Sequence, residues 1–493
     1  MTTVRRPLAK VQKIRDQIGH PIIDADAHVI EAPFALHDFV RKVAGPDVLK
    51  RFEARSARTS GHRFGFWASP SGKMTIDRAT VMLPGLLYER LPECGLDYAV
   101  IYTSEGLSAM SIRDTELRQA VHRALNLLYA DMFMRYADRM TPSALIPMFS
   151  PNEAIAELEF VVKELGFKSI TIPSEFRGPV PEVAEKMPEL ADKTERIYSF
   201  TIDCPYDYDP FWAKCIELGV AITGHGGSQA TGRRASRSNF VYNRLGSFAV
   251  GAEHLCRSLF LGGVTRRFPT LNFAFLEGGV AWASALYNDF CEFWEKRNIR
   301  YLEEYMDPAK LDMDLMVEMF TKYGNAYLTP ERIKVSPDNL FSWRAKDDRP
   351  LDDFAACGIE TEEGVRDLFV PNFYFGCEAD DRMNACAFNS KLNHFDVKLK
   401  ALYSSDIGHW DVPNIRSVLV EAWELVEDGL MTEEDFYDFT FANTAELHTQ
   451  MNPNFFKGTA VEKDIDKLIA SGRIGLPKKP AKAAKAGRAA ATA

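Results

Sequence analysis

Short apolar segments alternate along the chain with longer stretches whose apolar residues recur at helical spacing. Eight short segments are predicted strands: Ile22–Asp26, Ala99–Tyr102, Ser143–Pro147, Ser169–Ile172, Val220–Gly224, Asn272–Leu276, Phe373–Gly376 and Ala401–Ser404. Four long stretches are predicted helices: Asp114–Tyr136, Asn152–Leu165, Asp209–Leu218 and Pro413–Glu427. Nearly all-apolar strands separated by helices are typical of a parallel sheet that is covered on both faces. The pattern therefore predicts an α/β protein with a closed (β/α)₈ barrel of the TIM type.

Two stretches interrupt the alternation, and we interpret them as insertions on the barrel. Residues 41–95 show little periodicity. Residues 296–370 are rich in charge, proline and aspartate, with a predicted helix around Asp312–Lys322.

The ends of the chain are predicted to be extensions of the barrel. Residues 1–20 form an N-terminal extension, residues 21–455 form the barrel with its insertions, and residues 456–493 form a C-terminal extension. Its last part, Pro477 to Ala493, contains no large apolar residue. Such a composition cannot offset the entropy of ordering, which predicts a disordered basic tail.

Composition and charge narrow the class of protein. The chain has 493 residues and a formal net charge of −10, which argues against nucleic acid as a partner, because phosphates bind basic surfaces. The eight cysteines form no C-x-x-C pair, and a reducing compartment suits them. Neither a secretory signal nor an apolar run long enough for a membrane helix is visible. We expect a cytoplasmic enzyme that does not bind membranes.

The first predicted strand and the fifth each end in residues that could bind a metal. Asp26 and His28 are two residues apart, so on a strand their side chains point the same way, toward the catalytic face of a barrel. The alternative is a helix-capping Asp and a loop His. His225 ends the fifth strand and precedes two glycines, which let the backbone turn and a ligand approach. A packing His satisfied by backbone groups is the other interpretation.

The sixth and eighth predicted strands end in carboxylates. Asp406 follows Ala401–Ser404 and could bind a metal and accept a proton from activated water, since the next predicted helix begins too late for Asp406 to cap it. Glu277 precedes two glycines and could be a further ligand or a general acid or base. A carboxylate that holds a loop through backbone amides is the structural alternative for Glu277. Convergence of several strand ends at a barrel mouth predicts one shared divalent ion.

These motifs resemble those of the amidohydrolase-related, or amidohydrolase 2, family. The similar segments begin at Asp24, Asp209, Arg267 and Ser405: Asp-Ala-Asp-Ala-His-Val-Ile-Glu, Asp-Pro-Phe-Trp leading to His225-Gly-Gly, Arg-Phe-Pro-Thr-Leu leading to Glu277-Gly-Gly, and Ser-Asp-Ile-Gly-His-Trp. The resemblance spans about residues 20–450. It implies a (β/α)₈ barrel with one divalent ion, zinc first and manganese as the alternative.

The resemblance also assigns roles by position. Asp26, His28, His225 and Asp406 would be the metal ligands, with Asp406 also the base. Two departures matter: many members begin with His-x-His where this chain has Asp26-x-His28, and decarboxylases of the family often have His at the position of Glu277.

Residues near these motifs are candidates for binding a small-molecule substrate. The segment after His225 contains Arg233, Arg234, Arg237 and Arg244, any of which could hold a carboxylate through two hydrogen bonds. Arg233 and Arg237 are our choices, together with His409 and Trp410; Phe34 could also line the pocket. A solvated basic loop and ordinary aromatic packing are the alternatives.

Three functions are consistent with this sequence. The first is a metal-dependent hydrolase of a small, aromatic-derived substrate, with Asp406 and Glu277 as catalytic residues. The second is a non-oxidative decarboxylase or hydratase of an aromatic or muconate-type acid. The third is a metal-binding subunit without catalysis. From the resemblance we also expect a homo-oligomer, a dimer.

Overall fold

Ten strands lie in the part of the chain that the computed structural model describes, residues 7–59, 69–226, 236, 238–340 and 351–475. In chain order they are β1 (Ile23–Val29), β2 (Tyr98–Thr103), β3 (Met140–Leu145), β4 (Ser169–Ile172), β5 (Phe176–Gly178), β6 (Arg196–Tyr198), β7 (Ile222–Gly224), β8 (Phe273–Phe275), β9 (Phe373–Glu378) and β10 (Lys400–Ser404). Eight of them form one sheet in the order β1-β2-β3-β4-β7-β8-β9-β10. Every hydrogen-bonded pair in this sheet is parallel.

The sheet closes where β1 meets β10. The backbone N–H of His28 donates to the carbonyl of Ile407, and the N–H of Asp406 donates to the carbonyl of Asp26, both over 3.1 Å. All eight strands lie at the segments that the apolar pattern indicates, so the predicted (β/α)₈ barrel is confirmed. Closure at this point brings the carboxyl ends of the first and last barrel strands together, which matters for the site below.

Helices cover the outside of the barrel. The α-helices of five residues or more are Ala9–Ile18, Pro33–Thr59, Thr75–Met82, Pro84–Cys94, Glu105–Ala109, Thr115–Phe133, Pro151–Lys163, Pro181–Lys186, Asp209–Leu218, Phe240–Arg244, Ser247–Leu261, Ala281–Arg297, Met313–Tyr323, Pro330–Val335, Glu363–Phe369, Val418–Glu427, Glu433–Tyr437, Asn443–Thr449 and Glu462–Ala470. Their apolar faces and the outward side chains of the strands form the largest core cluster, which includes Leu125, Leu158, Trp212 and Phe369. Tyr102, Leu276 and Leu402 belong to a separate cluster inside the barrel.

The described part of the first predicted insertion consists mainly of helices, although the sequence shows little periodicity there. Helix Pro33–Thr59 is interrupted at Gly45, whose φ of 83° and ψ of 179° are not helical. Pro46 follows at once, and a proline inside a helix removes a backbone hydrogen bond. The sequence shows little periodicity in residues 41–95, and these helices are not among the predicted elements.

The other helix predictions agree with the structure at most of their ends. The predicted helix around Asp312–Lys322 is helix Met313–Tyr323, in which no residue is buried. The helix predicted from Pro413 begins only at Val418, after a series of turns. The antiparallel pair β5–β6 has no counterpart among the predicted elements, because its strands, Phe-Arg-Gly and Arg-Ile-Tyr, each contain an arginine and do not form an apolar segment.

The last described helix, Glu462–Ala470, covers the end of the barrel at which the strands begin. Ile465 and Leu468 of helix Glu462–Ala470 belong to one core cluster with Ile23, Tyr98 and Phe456. The proposed tail from Pro477 to Ala493 lies outside the described residues, and the division into a barrel with two extensions stays a prediction. Among the described helices, none combines the length and the apolar character that crossing a bilayer requires.

Candidate metal centre

Four strand ends bring five acidic and imidazole side chains to one point. Asp26 and His28 lie on β1, His225 follows β7, Glu277 lies two residues beyond β8, and Asp406 lies two residues beyond β10. All five residues are buried, with at most 7% of their surface exposed. Their positions are fixed because the parallel strands end at the same rim of the barrel.

The four predicted metal ligands face one another at short distances. Nε2 of His28 lies 3.1 Å from Nε2 of His225. The carboxylate of Asp26 lies between them, with Oδ1 3.3 Å from the His28 Nε2 and Oδ2 3.6 Å from the His225 Nε2. Asp406 Oδ1 lies 3.7 Å from the His28 Nε2. The structure therefore brings these four residues together, while their role as ligands stays a prediction.

The carboxylates of Asp26 and Asp406 have no hydrogen-bond donors. Neither oxygen of Asp26 or of Asp406 has a hydrogen-bond partner, and all four oxygens are buried. Buried acceptors without donors are costly, whereas a cation would satisfy them. Two imidazole nitrogens and two carboxylates are a donor set that suits zinc or manganese. The residues therefore fit a divalent ion.

The backbone at two of these positions adopts a conformation that side chains other than glycine seldom take. Glu277 has a φ of 57° and Asp406 a φ of 48°. A left-handed backbone at a non-glycine residue costs free energy, and such residues are concentrated at functional sites. Gly408 completes the turn after Asp406 with a φ of 109°, and a Cβ there would come 3.1 Å from the carbonyl of His28. The fold thus holds both carboxylates in special turns.

Burial and neighbouring charge shift the pKa of each ionisable group in the cluster. Burial, followed by the charge of Asp406, raises the pKa of Asp26 well above its ordinary value. Burial, followed by the charge of Asp411, does the same for the pKa of Asp406. Burial and the nearby His409 lower the pKa of His225 to about 3, and that of His28 also falls well below its usual range. Both imidazoles are therefore neutral, which is the form that binds metals.

Asp24 supports the cluster from behind. Its carboxylate accepts hydrogen bonds from the hydroxyl of Ser405 and, over 2.9 Å, from the Ser405 N–H. It also accepts from the N–H of Asp26 over 3.2 Å. These bonds tie β1 to the turn that carries Asp406. Asp24 is part of the first motif in the sequence, but the sequence gives no reason to expect that its side chain bonds to Ser405.

Glu277 is paired with an arginine that the sequence suggests as a substrate ligand. Arg244 Nη2 lies 2.6 Å from Glu277 Oε1, and the guanidinium lies over the Phe248 ring at 4.6 Å. Glu277 Oε2 lies 3.6 Å from the His225 Nε2 and has no hydrogen-bond partner. Arg244 therefore orients Glu277 toward the metal cluster.

The remaining predicted substrate residues have different positions. His409 lies in the metal cluster, with Nδ1 2.6 Å from Asp406 Oδ1 and Nε2 3.3 Å from the Ser104 hydroxyl. Trp410 is 41% exposed and lines a cavity beside the cluster, whereas Phe34 is 74% exposed and is not part of that cavity wall. Arg233 and Arg237, as well as Arg234, lie outside the described residues.

The cavity has a volume of about 410 Å³ and includes carboxylates that sequence reasoning missed. Glu378, Asp381 and Asp411 line it together with Arg244, Glu277, Phe248 and Trp410. The sequence contained a signal for Glu378, because an acidic residue follows the predicted strand Phe373–Gly376 within two positions, as at the other strand ends.

Comparison with known proteins gives a family match and a set of similar folds. A family model described as amidohydrolase matches residues 23–328, which is more than half of the chain. A dihydroxybenzoic acid decarboxylase from Polaromonas sp., with bound manganese and the inhibitor 2-nitroresorcinol, has 15% identity and a TM-score of 0.50 over 89% of this chain and 99% of its own. A 5-carboxyvanillate decarboxylase from Novosphingobium aromaticivorans, with manganese and a nitrobenzoic acid ligand, has 14% identity and a TM-score of 0.50 over 88% and 98% of the two chains. No curated protein gave a significant match.

Proposed function

The chain belongs to the amidohydrolase family, and on this basis we propose that it is a divalent-metal-dependent hydrolase of a small organic molecule. One observation carries the proposal: the buried carboxylates of Asp26 and Asp406 lack hydrogen-bond donors and face the Nε2 atoms of two neutral imidazoles. Asp26, His28, His225 and Asp406 would hold the ion. When bound, such an ion supplies Lewis-acid activation of water and of a substrate carbonyl.

The two catalytic carboxylates have different surroundings. Asp406 is held in place by its left-handed turn, with the His409 Nδ1 2.6 Å from its Oδ1, and Asp406 would accept the proton of the attacking water. Glu277 is the proton donor, because burial raises the pKa of its carboxyl well above the ordinary value, while Arg244 keeps it in place. A base and an acid with separate environments on the two sides of the site are what hydrolysis requires.

Zinc and manganese are both candidates for the ion. The mixed nitrogen and oxygen donor set suits either metal. Zinc is the first choice from the family resemblance, and manganese is supported by its presence in both decarboxylase structures of similar fold.

The second candidate function is a non-oxidative decarboxylase of an aromatic acid. Both solved proteins described above are decarboxylases with this barrel architecture, and Phe248 and Trp410 line the cavity here. Glu277 stands where decarboxylases of the family often have His, and it holds the arginine that would otherwise be available for a substrate carboxylate. For these reasons we place hydrolysis first.

Isotope labelling distinguishes the two functions. The metal-loaded protein is screened in isotopically labelled water against esters, lactones, amides and aromatic carboxylic acids. A hydrolase incorporates one solvent oxygen into the product and releases no carbon dioxide. Release of carbon dioxide without solvent oxygen in the product would contradict hydrolysis and establish the second function. The Asp406→Asn variant should be inactive in either case.

A further inference from the structure

The described wall of the cavity beside the metal cluster has more acidic than basic side chains. Four carboxylates line it, those of Glu277, Glu378, Asp381 and Asp411. Arg244 is the one basic residue that lines it among the described residues, and Arg244 is already paired with Glu277 at 2.6 Å. Glu378, Asp381 and Asp411 thus face the cavity with no basic side chain of the described cavity wall left to balance them.

These carboxylates are close to one another and partly buried. One oxygen each from Glu378, Asp406 and Asp411 lie within 4.8 Å of one another. The Oδ1 atom of Asp411 is buried without a hydrogen-bond partner. The Glu277 side chain, which is only 2% exposed, belongs to the same cavity wall, while its Oε2 faces the His225 Nε2 at 3.6 Å. Like charges at such distances repel, and a positive ligand group relieves the repulsion.

The cavity wall also has an apolar part. Trp410 is 41% exposed, Leu245 is 67% exposed, and Phe248 and Val241 belong to the same wall. The face of a tryptophan ring attracts organic cations. A hydrated metal ion gains nothing from such a surface, so an organic cation suits this combination of carboxylates and apolar side chains better than a second metal ion does.

We propose that Glu378, Asp381 and Asp411 bind a positively charged group of the substrate, an ammonium or a guanidinium, and that Trp410 contacts its apolar body. The proposal rests on the proposed function, since it takes this cavity as the substrate site of the hydrolase. It names the substrate class: small molecules with a cationic group next to a hydrolysable carbonyl.

A binding series with three probes tests the proposal on the full-length, metal-loaded protein. Benzyltrimethylammonium is a permanent cation that cannot bind the metal, benzyl alcohol is neutral and benzoate is an anion. We expect the cation to bind about tenfold or more tightly than benzoate, as measured by calorimetry. Glu378→Gln and Asp411→Asn should each remove most of that preference. Asp466→Asn, which removes an exposed carboxylate far along the chain in helix Glu462–Ala470, is the matched control and should leave the preference unchanged.

Two results would overturn the proposal. One is equal or tighter binding of benzoate. The other concerns a second equivalent of manganese. If it displaces the cation from the original protein, and if Glu378→Gln does not bind it, the three carboxylates form a second metal site and not a substrate subsite. Because binding needs no turnover, the series is independent of the hydrolysis assay. A cation preference without hydrolysis would contradict the proposed function alone, and hydrolysis without the preference would contradict the subsite alone.

Discussion

Two buried clusters of charged residues in this protein differ in one respect, the presence of partners. In the first, Arg90 is bonded to Asp77 and Glu93, each over 3.0 Å, and the Arg90 side chain is 2% exposed. The hydroxyl of Thr80 accepts a further bond from Arg90. In the metal centre, Asp26 and Asp406 are buried as deeply, and no donor is aligned on any of their oxygens.

The difference separates a structural cluster from a functional one. A buried ion pair with complete hydrogen bonding stabilises a particular packing of helices, here Thr75–Met82 against Pro84–Cys94. Buried carboxylates without donors destabilise the protein unless a ligand satisfies them. Substitutions in the two clusters and in the cavity wall should therefore affect activity and stability to different extents.

Asp406→Asn should have the largest effect, a fall in kcat of about a thousandfold or more. Asparagine keeps the size of the side chain but cannot accept the proton that Asp406 is proposed to take. Steady-state kinetics on a substrate found in the screen measure the loss, and circular dichroism shows whether the fold is retained. A variant that folds and keeps its rate would remove Asp406 from the mechanism.

Arg90→Leu should lower the free energy of unfolding by about 3–5 kcal/mol, because the buried carboxylates of Asp77 and Glu93 lose the Arg90 guanidinium, and the Arg416 Nε lies farther from Glu93, at 3.8 Å. Asp26→Asn in metal-free protein should change it by about 1 kcal/mol or less, since Asp26 has no partner to lose. Urea unfolding of both variants measures the contrast. Equal destabilisation would mean that the two clusters have the same structural role.

Glu378→Gln should flatten the pH dependence of stability in metal-free protein. Burial, followed by the charge of Asp411, raises the pKa of Glu378 from 4.5 to about 7. The folded protein therefore retains a proton that the unfolded chain releases, so the free energy of unfolding falls as pH rises from about 4.5 to about 7. For this partly exposed group we expect a contribution of about 1–2 kcal/mol. Urea unfolding of the original protein and of Glu378→Gln across this pH range measures the difference. If the free energy of unfolding depended on pH equally in both proteins, the pKa of Glu378 would not be raised by folding.

Arg244→Gln should have the smallest effect, a loss of about tenfold in kcat. The guanidinium lowers the pKa of the Glu277 carboxyl against the larger effects of burial and of Asp406, so its removal raises that pKa further. The high-pH limb of the pH–rate profile should therefore move to higher pH. Arg244→Lys is the matched control and should restore part of the rate. An unchanged pH–rate profile in Arg244→Gln would mean that Glu277 does not transfer a proton in the reaction.

The sequence predicts most of the barrel because each strand is short, apolar and followed by a polar residue. The same rule places Asp26, His28, His225, Glu277 and Asp406 at strand ends, and the structure brings them together. The helices within residues 41–95 escape the rule, because the sequence shows little apolar periodicity there.

Contacts between distant loops could not be predicted in the same way. The pairing of Arg244 with Glu277 joins two barrel segments through loop geometry that no local pattern encodes. The crowding of Glu378 with Asp411 depends on the turn after β10, and no periodicity indicates that turn. His409 is recognisable as a site residue, but its contact with Asp406 emerges only from the left-handed turn at Asp406.

Elemental analysis of the purified protein is the most direct test of the metal centre. Cells are grown with added zinc and manganese, and metal content is measured for the original chain, Asp26→Asn, His225→Ala and Arg90→Leu. We predict about one divalent ion per chain in the original protein and in Arg90→Leu, and a large loss in the two site variants. Absence of a bound divalent ion from the original protein, or equal metal content in all four proteins, would contradict the account.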